Sequence, residues 1–328
     1  MLRFDPMALH LVALISVAHC GVPGGIIGEP AEEPSRTLEF AVEGADVSER
    51  STVWFNATSQ ELSADGSHVS LGMGYSLCDV DTETSAPTRD YAPEQSETIS
   101  VLDVDFDGET VADQIVIEGG EIGIYDSGAD SVIGLGVGGE ALAAGWMGDD
   151  VVYLSGGAEG CALTSIAGES WELPSSACGV AQMAIDEATG TVFIAAEDRI
   201  AVVTDEILVL DIAADSLAWD ADLGVLYTQA GDTVAALVEV DGGWAPQWSA
   251  TAEDVVDIDR IAGGLVILRE AGEQSIVEVR TALSGAVVST VTAEGIFETV
   301  AGAADAPVFS LAGYTTNVHV MELGETLR

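Results

Sequence analysis

Lysine is missing altogether: all nine basic residues are arginine, set against 56 acidic residues, for a formal charge of −47 over 328 residues. Such an excess repels polyphosphate backbones and anionic lipid surfaces, which excludes nucleic acid and acidic membranes as partners. Histidine is almost as scarce: of four in the chain, only His68 and His319 lie beyond residue 20. Few side chains are therefore suited to work as a base near neutrality. Four cysteines without a C-x-x-C pair give no zinc site. A G-x-S-x-G elbow, an H-E-x-x-H motif and a phosphate-binding glycine loop are all absent, so no nucleophile constellation stands out. No run is apolar for the roughly 20 residues that a membrane-crossing helix needs. Beyond residue 99 helical periodicity is missing too; the nearest candidate, "GEALAAGWMG", is weakened by its glycines.

What is present is a chain built to fold. Hydrophobic residues make up 48%, and β-branched runs recur to the C-terminus, unlike a disordered acidic segment. The acidity reads as a hydrated surface suited to salt, where screening weakens self-repulsion, or alternatively as several specific cation sites. Residues 1–20 read as a signal peptide, with an apolar run over 8–18 behind Arg3. Its end, Val17-Ala18-His19-Cys20-Gly21, resembles a bacterial lipoprotein box with Cys20 as the lipidated residue; ordinary signal-peptide cleavage is the alternative. The expected location is a bacterial outer-membrane lipoprotein, the periplasm or the extracellular space. Residues 21–35, rich in Gly, Pro and Glu, read as a flexible tether.

Export permits disulfides. Cys161 and Cys178 enclose a short segment and make the most economical pair. Cys78 is then left as a buried free thiol, unless Cys20 stays in the chain unlipidated.

Residues 36–79 contain alternating stretches such as "RTLEFAVEG", "STVWFNA" and "SHVSLGMGYSL", read as a small β extension or an extra repeat. Residues 80–98 read as an acidic linker or long surface loop. From 99 to 328 the chain repeats itself. Short apolar strands recur around Ile115, Val151, Val192, Val225, Leu265 and Val308, at steps of 36, 41, 33, 40 and 43 residues. Partner strands follow or precede on schedule, and Gly190, Gly224 and Gly285 fall where hairpins need a residue tolerant of positive φ. A period of about 39 residues is that of a ring of four-stranded sheets rather than of a sandwich or β-helix. The expected fold is all-β, a β-propeller of six blades over 99–328, or seven if residues 36–79 supply another.

The segments "AQMAIDEATGTVFIAAEDRIAVV" and "SIVEVRTALSGAVVSTV" resemble blades of the bacterial repeat propellers known as YVTN, quinoprotein-like or WD40-like. In those families a D-x-x-T-G-x-V-Y/F hairpin joins the first two strands, and an L-x-x-x-T-G turn precedes the outermost one. The resemblance implies a fold and no particular activity. The Gly-His signature of WD40 blades is absent, Trp-Asp occurs once, at 219–220, and not blade after blade, and the six tryptophans at 54, 146, 171, 219, 244 and 248 keep no blade period.

One stretch suggests an ion. In "DVDFDGETVAD", Asp103, Asp105 and Asp107 alternate before Gly108, and Asp113 follows as a closing ligand, which is oxygen chemistry suited to calcium. The pattern resembles the loop of integrin-like FG-GAP repeats, with Asp113 two residues late. An unliganded acidic turn is the plainer reading. Calcium is thus the single candidate cofactor. "WAPQW" offers Trp244 and Trp248 either as exposed contacts or as caps on a blade edge.

The leader, the repeat and the missing catalytic grouping point to a non-enzymatic, exported or surface-associated propeller that binds a protein or carbohydrate ligand. Two alternatives stay open: a structural acidic envelope component, and an extracellular carboxylate-dependent hydrolase or lyase. The second would show as several acids with raised pKa values converging on a deep cleft.

Overall fold

The computed structural model describes residues 40–327 apart from 54–56, 58, 73–76, 92–98, 108–109, 119–120, 127–130, 136–140, 149, 158–159, 176–177, 179–180, 197–198, 314–315 and 325–326. The leader, Cys20 and the tether therefore lie outside the described residues.

Two N-terminal strands, β1 (Phe40–Gly44) and β2 (Val47–Val53), precede a series of four-stranded antiparallel sheets. The first blade is β3 (Ser59–Leu62), β4 (His68–Gly72), β5 (Leu77–Asp81) and β6 (Ala86–Tyr91). The second is β7 (Ile99–Asp107), β8 (Thr110–Glu118), β9 (Glu121–Asp126) and β10 (Ser131–Gly134). The third is β11 (Ala141–Met147), β12 (Asp150–Gly157), β13 (Gly160–Ser165) and β14 (Ser170–Leu173). The fourth is β15 (Ala181–Asp186), β16 (Thr191–Ala196), β17 (Arg199–Val203) and β18 (Ile207–Leu210). The fifth is β19 (Ser216–Asp220), β20 (Val225–Ala230), β21 (Thr233–Val240) and β22 (Gly243–Thr251). The sixth is β23 (Val255–Ile261), β24 (Gly264–Ala271), β25 (Gln274–Thr281) and β26 (Val287–Glu294), with β1 as a fifth, outermost strand. The seventh takes β27 (Thr299–Gly302), β28 (Val308–Gly313) and β29 (Thr316–Leu323) from the C-terminus and β2 from the N-terminus.

The innermost strands β3, β7, β11, β15, β19, β23 and β27 adjoin one another in that order, and β27 adjoins β3, closing the ring. The count is seven blades, not the six favoured from the spacing. All six spacing anchors sit on the second strand of a blade and are buried. Two features hid the seventh. The first blade's second strand, β4, lies in the segment read as an extension, and its outer strand, β6, lies in the stretch read as a linker. The last blade is assembled from both chain ends, so no contiguous repeat spells it out.

Each of the seven seams between neighbouring blades has its own cluster of buried apolar side chains. This follows from strand alternation: one face of each sheet packs on the preceding blade and the other on the next. At the closing blade, Glu49 of β2 pairs with His319 of β29 (Oε1 to Nδ1, 2.6 Å). The Thr52 hydroxyl also donates to Glu49. His319 is only 4% exposed and meets the rings of Phe40 and Phe297 edge-on, at 5.3 and 5.7 Å between centroids. Although burial raises it, the bonds from His319 and Thr52 hold the Glu49 carboxyl below its ordinary value.

Cys161 on β13 and Cys178, in the connection to β15, form a disulfide with Cα atoms 5.5 Å apart. Cys78 is buried and also disulfide-bonded, which corrects the free thiol expected for it; its partner lies outside the described residues. The hairpin Asp186 to Gly190 joins the first two strands of the fourth blade. Ala188 N and the Thr189 hydroxyl donate to the Asp186 carboxylate, and Gly190 takes a φ of 70°. No helix among the described residues is long and apolar enough to cross a membrane.

Candidate functional site

The ring encloses a central channel of about 840 Å³ whose wall is formed by residues of all seven innermost strands. Innermost strands of adjacent blades share no backbone ladder, so their outward amide groups need other partners. Acidic side chains supply several of them. Asp257 on β23 accepts from its own neighbour Ile258 N (2.9 Å) and from Val300 N on β27 (3.0 Å). Two residues further, Asp259 repeats this with Arg260 N (2.7 Å) and Gly302 N (2.8 Å). Asp103 on β7 does the same with Val104 N (2.9 Å) and Trp146 N of β11 (2.7 Å). In the fourth blade Gln182 takes the role, accepting from Leu217 N on β19 at 2.7 Å. Gly302 permits the close approach: a Cβ there would lie 1.9 Å from the Arg260 carbonyl oxygen.

These bonds favour ionised carboxylates, yet the surroundings oppose them. Burial, and secondarily the neighbouring charge of Asp259, pushes Asp257 up to about 7. Burial takes Asp259 to about 6 against the pull of its own hydrogen bonds. Glu61, on β3, is pushed well above the ordinary carboxylate range by burial and then by Asp259 and Asp103. It is half-buried by area because it borders the channel, but it lies deep within the ring. Near the end carrying the first-to-second-strand turns, burial likewise raises Asp220 and the hydroxyl of Tyr227.

The stretch read as a calcium loop is an extended strand pair. Asp103, Asp105 and Asp107 all belong to β7, and Asp113 faces Asp105 across the ladder on β8. The side chains of Asp105 and Asp107 lie outside the described residues, whereas Asp103 has each oxygen engaged by a backbone amide. Alternation here has a second meaning: in a strand, residues two apart share a face, as Asp257 and Asp259 do in reaching the same neighbouring blade. Asp103 in "DVD" does on β7 what Asp257 and Asp259 in "DID" do on β23, a likeness visible in the sequence but not connected there. Glu61 was missed for another reason, since it lies in the segment not counted as a blade. Trp244 and Trp248 are caps rather than free contacts. Trp244 packs on Phe193 and Trp219, and the Trp248 indole donates to Ala282 O at 2.6 Å.

No protein-family model matches the chain, and no curated protein matches it. Among solved structures, the β-propeller domain of Cps50 (Swd1) from Myceliophteria thermophila is similar, with a TM-score of 0.67 at 11% identity. The match covers 85% of this chain and 100% of that one. At this identity the likeness shows the propeller fold alone.

Proposed function

We propose that the protein is an exported, surface-associated propeller that works by binding a partner rather than by catalysis. The observation that carries this reading is the state of the channel carboxyl groups. Of the eight carboxyl groups that line the channel, Asp103, Asp257 and Asp259 have both oxygens tied to backbone amides, one on their own strand and one on the next blade, where they hold the ring together. Hydrolysis by paired carboxylates asks for two acids free to exchange protons with substrate and water. Of the raised acids Glu61, Asp257 and Asp259, only Glu61 stands outside these bonds among the described residues.

A second reading has a specific observation in its favour. Raised carboxyl groups on Glu61, Asp257 and Asp259 converge on one cavity, which is the pattern of a carboxylate-dependent hydrolase or lyase. The engagement of the aspartates weighs against it.

The topology also orients the ring. β1 pairs Phe40 with Ala293 near the end of β26, so the described chain enters at the face bearing the turns between second and third strands. An N-terminal anchor would therefore turn the opposite face outward. That face carries the exposed apolar residues Ile166, Leu223, Val240 and Leu283. The anchor itself is open to a chemical test. Cys161 and Cys178 bond each other, so a bond from Cys78 within the chain would consume Cys20 and exclude its lipidation.

Thermal-shift screening of neutral sugars, uronates, amines and short peptides, followed by recovery of any hit, tests the binding reading. A stabilising ligand recovered unchanged is the expected result. Turnover that disappears in Glu61→Gln would overturn the reading in favour of the hydrolase.

A further inference from the structure

The chain's cysteines stand at 20, 78, 161 and 178. Cys161 and Cys178 bond each other, Cys78 is disulfide-bonded, and no described cysteine is free. Of the chain's cysteines only Cys20 is left to be the partner of Cys78. Cys78, on β5, is 0% exposed and packs in the apolar seam between the first and seventh blades with Leu71, Val80, Ala301 and Val318. A sulfur in that position is closed to small thiols and to neighbouring molecules, so its bond is made by the chain's own sulfur as the fold forms. The topology brings the two partners to one face of the ring. The described chain enters at Phe40, on the face bearing the connections between second and third strands, and Cys78 lies one residue from such a connection. The stretch from Cys20 to Phe40 reaches at most about 70 Å when extended. A compact fold of this length has a radius of gyration of roughly 20 Å, so that stretch can pass from the sixth blade to the first. The leader offers a matching cut. Ser16-Val17-Ala18 has small residues at its first and third places, the pattern of ordinary signal-peptide cleavage, and a cut after Ala18 keeps Cys20 in the mature chain.

We propose that Cys20 is a disulfide partner and not a lipid attachment point: the mature chain begins at His19, and a bond from Cys20 to Cys78 staples its N-terminus to the first blade. The inference rests on the export reading and goes beyond the binding reading, because it fixes how the protein meets a surface. A thioether to lipid and a disulfide to Cys78 use the same sulfur, so each excludes the other. Forming the bond takes one hydrogen from each thiol. The two electrons and two protons reduce a disulfide of the oxidising compartment to a dithiol. The closed loop runs from Cys20 to Cys78 and contains β1 and β2, the strands that the N-terminus adds to the last two blades. The protein is then released rather than anchored, and it stays at a surface only through what it binds.

Mass spectrometry of the protein exported from a bacterial host competent in both lipidation and disulfide formation tests this. The unaltered protein should begin at His19, carry no lipid and show no thiol to maleimide after denaturation. Digestion without reductant by a glutamate-specific protease, chosen because lysine is absent, should yield a peptide pair joining Cys20 to Cys78. Cys20→Ser and Cys78→Ser should each expose one thiol. In detergent phase separation the unaltered protein and Cys20→Ser should both stay in the aqueous phase. If either variant fails to fold, the peptide map of the unaltered protein decides. A lipid on Cys20, a mature chain lacking Cys20, or Cys78 either free or bonded to any other sulfur would overturn the proposal while leaving export and binding intact. An uncut leader with every cysteine reduced would overturn the export reading as well.

Discussion

The seam between the sixth and seventh blades and the seam between the first and second hold the ring by different means. At the first of these, Phe297, Phe309, Met321 and Leu323 pack against Val266, Leu268 and Val277 in an apolar cluster. Two aspartates cross it, and β1 and β2 lie across its outer edge. At the other seam, Gln114 of β8 reaches into the first blade and donates to Ser70 Oγ (2.8 Å) and Asp79 Oδ1 (2.7 Å), all three residues buried. The described apolar packing there is a smaller group: Leu77, Val104, Val116 and Tyr125 with Tyr91. The seam beside which β1 and β2 bring the N-terminal segment onto the last two blades is built from area. The seam between the first and second blades, where no strand from the far end of the chain takes part, adds matched polar groups that specify alignment.

Breaking the apolar seam between the sixth and seventh blades should have the largest effect. Phe309→Ala is expected to cost about 3–5 kcal/mol, read from urea unfolding. A loss below about 1 kcal/mol would mean that this seam does not depend on its apolar packing. Removing the disulfide with Cys161→Ser/Cys178→Ser should cost roughly 3 kcal/mol for a loop of this length. That places a covalently held seam between the other two. At the polar seam, Gln114→Ala removes the amide that donates to Asp79 and Ser70 and should cost about 1–3 kcal/mol. If it equals Phe309→Ala in cost, the contrast between the seams fails.

Titration sharpens the same comparison. Asp257 and Asp259 are raised in the folded state, so the fold binds more protons than the unfolded chain between about pH 4 and pH 7. Their contribution is present in full below the unfolded carboxylate value and is lost as pH rises through about 6 and 7. Stability should fall over that window by at most about 1.4 kcal/mol per pH unit per group. Asp257→Asn should flatten the slope in high salt, where general surface repulsion is screened. Glu49 acts oppositely: it is lowered, and its contribution fades as pH falls through its folded value. The smallest effect is expected from calcium. Any site at Asp103, Asp105, Asp107 and Asp113 should be weak, with Kd roughly 10⁻⁴ to 10⁻³ M. An Asp103→Asn/Asp105→Asn variant that loses a nanomolar site would reverse that view of the strand.

The propeller was legible because second strands are the most buried strands of a blade and therefore the most apolar. Val192, Leu265 and Val308 mark them without any structure. The disulfide was legible from loop length alone. The blade count was not, because β2 pairs with β29 across almost the whole chain and no local pattern encodes that meeting. Nor was the channel, since Glu61, Asp103 and Asp259 are three ordinary acids among 56 until the ring places their strands around one axis. Alternating aspartates look the same whether they wrap an ion or staple two blades.

Closure of the ring by β2 is the claim on which the blade count, the orientation of the tether and the channel all depend. Native-state hydrogen exchange tests it most directly. The inward amides of residues 47–53 should be protected to the same degree as those of Val318 and Val320, with blade six exchanging only through global unfolding. Exchange of 47–53 at the rate of an unstructured segment, beside protected β27, β28 and β29, would contradict a closed seven-bladed ring.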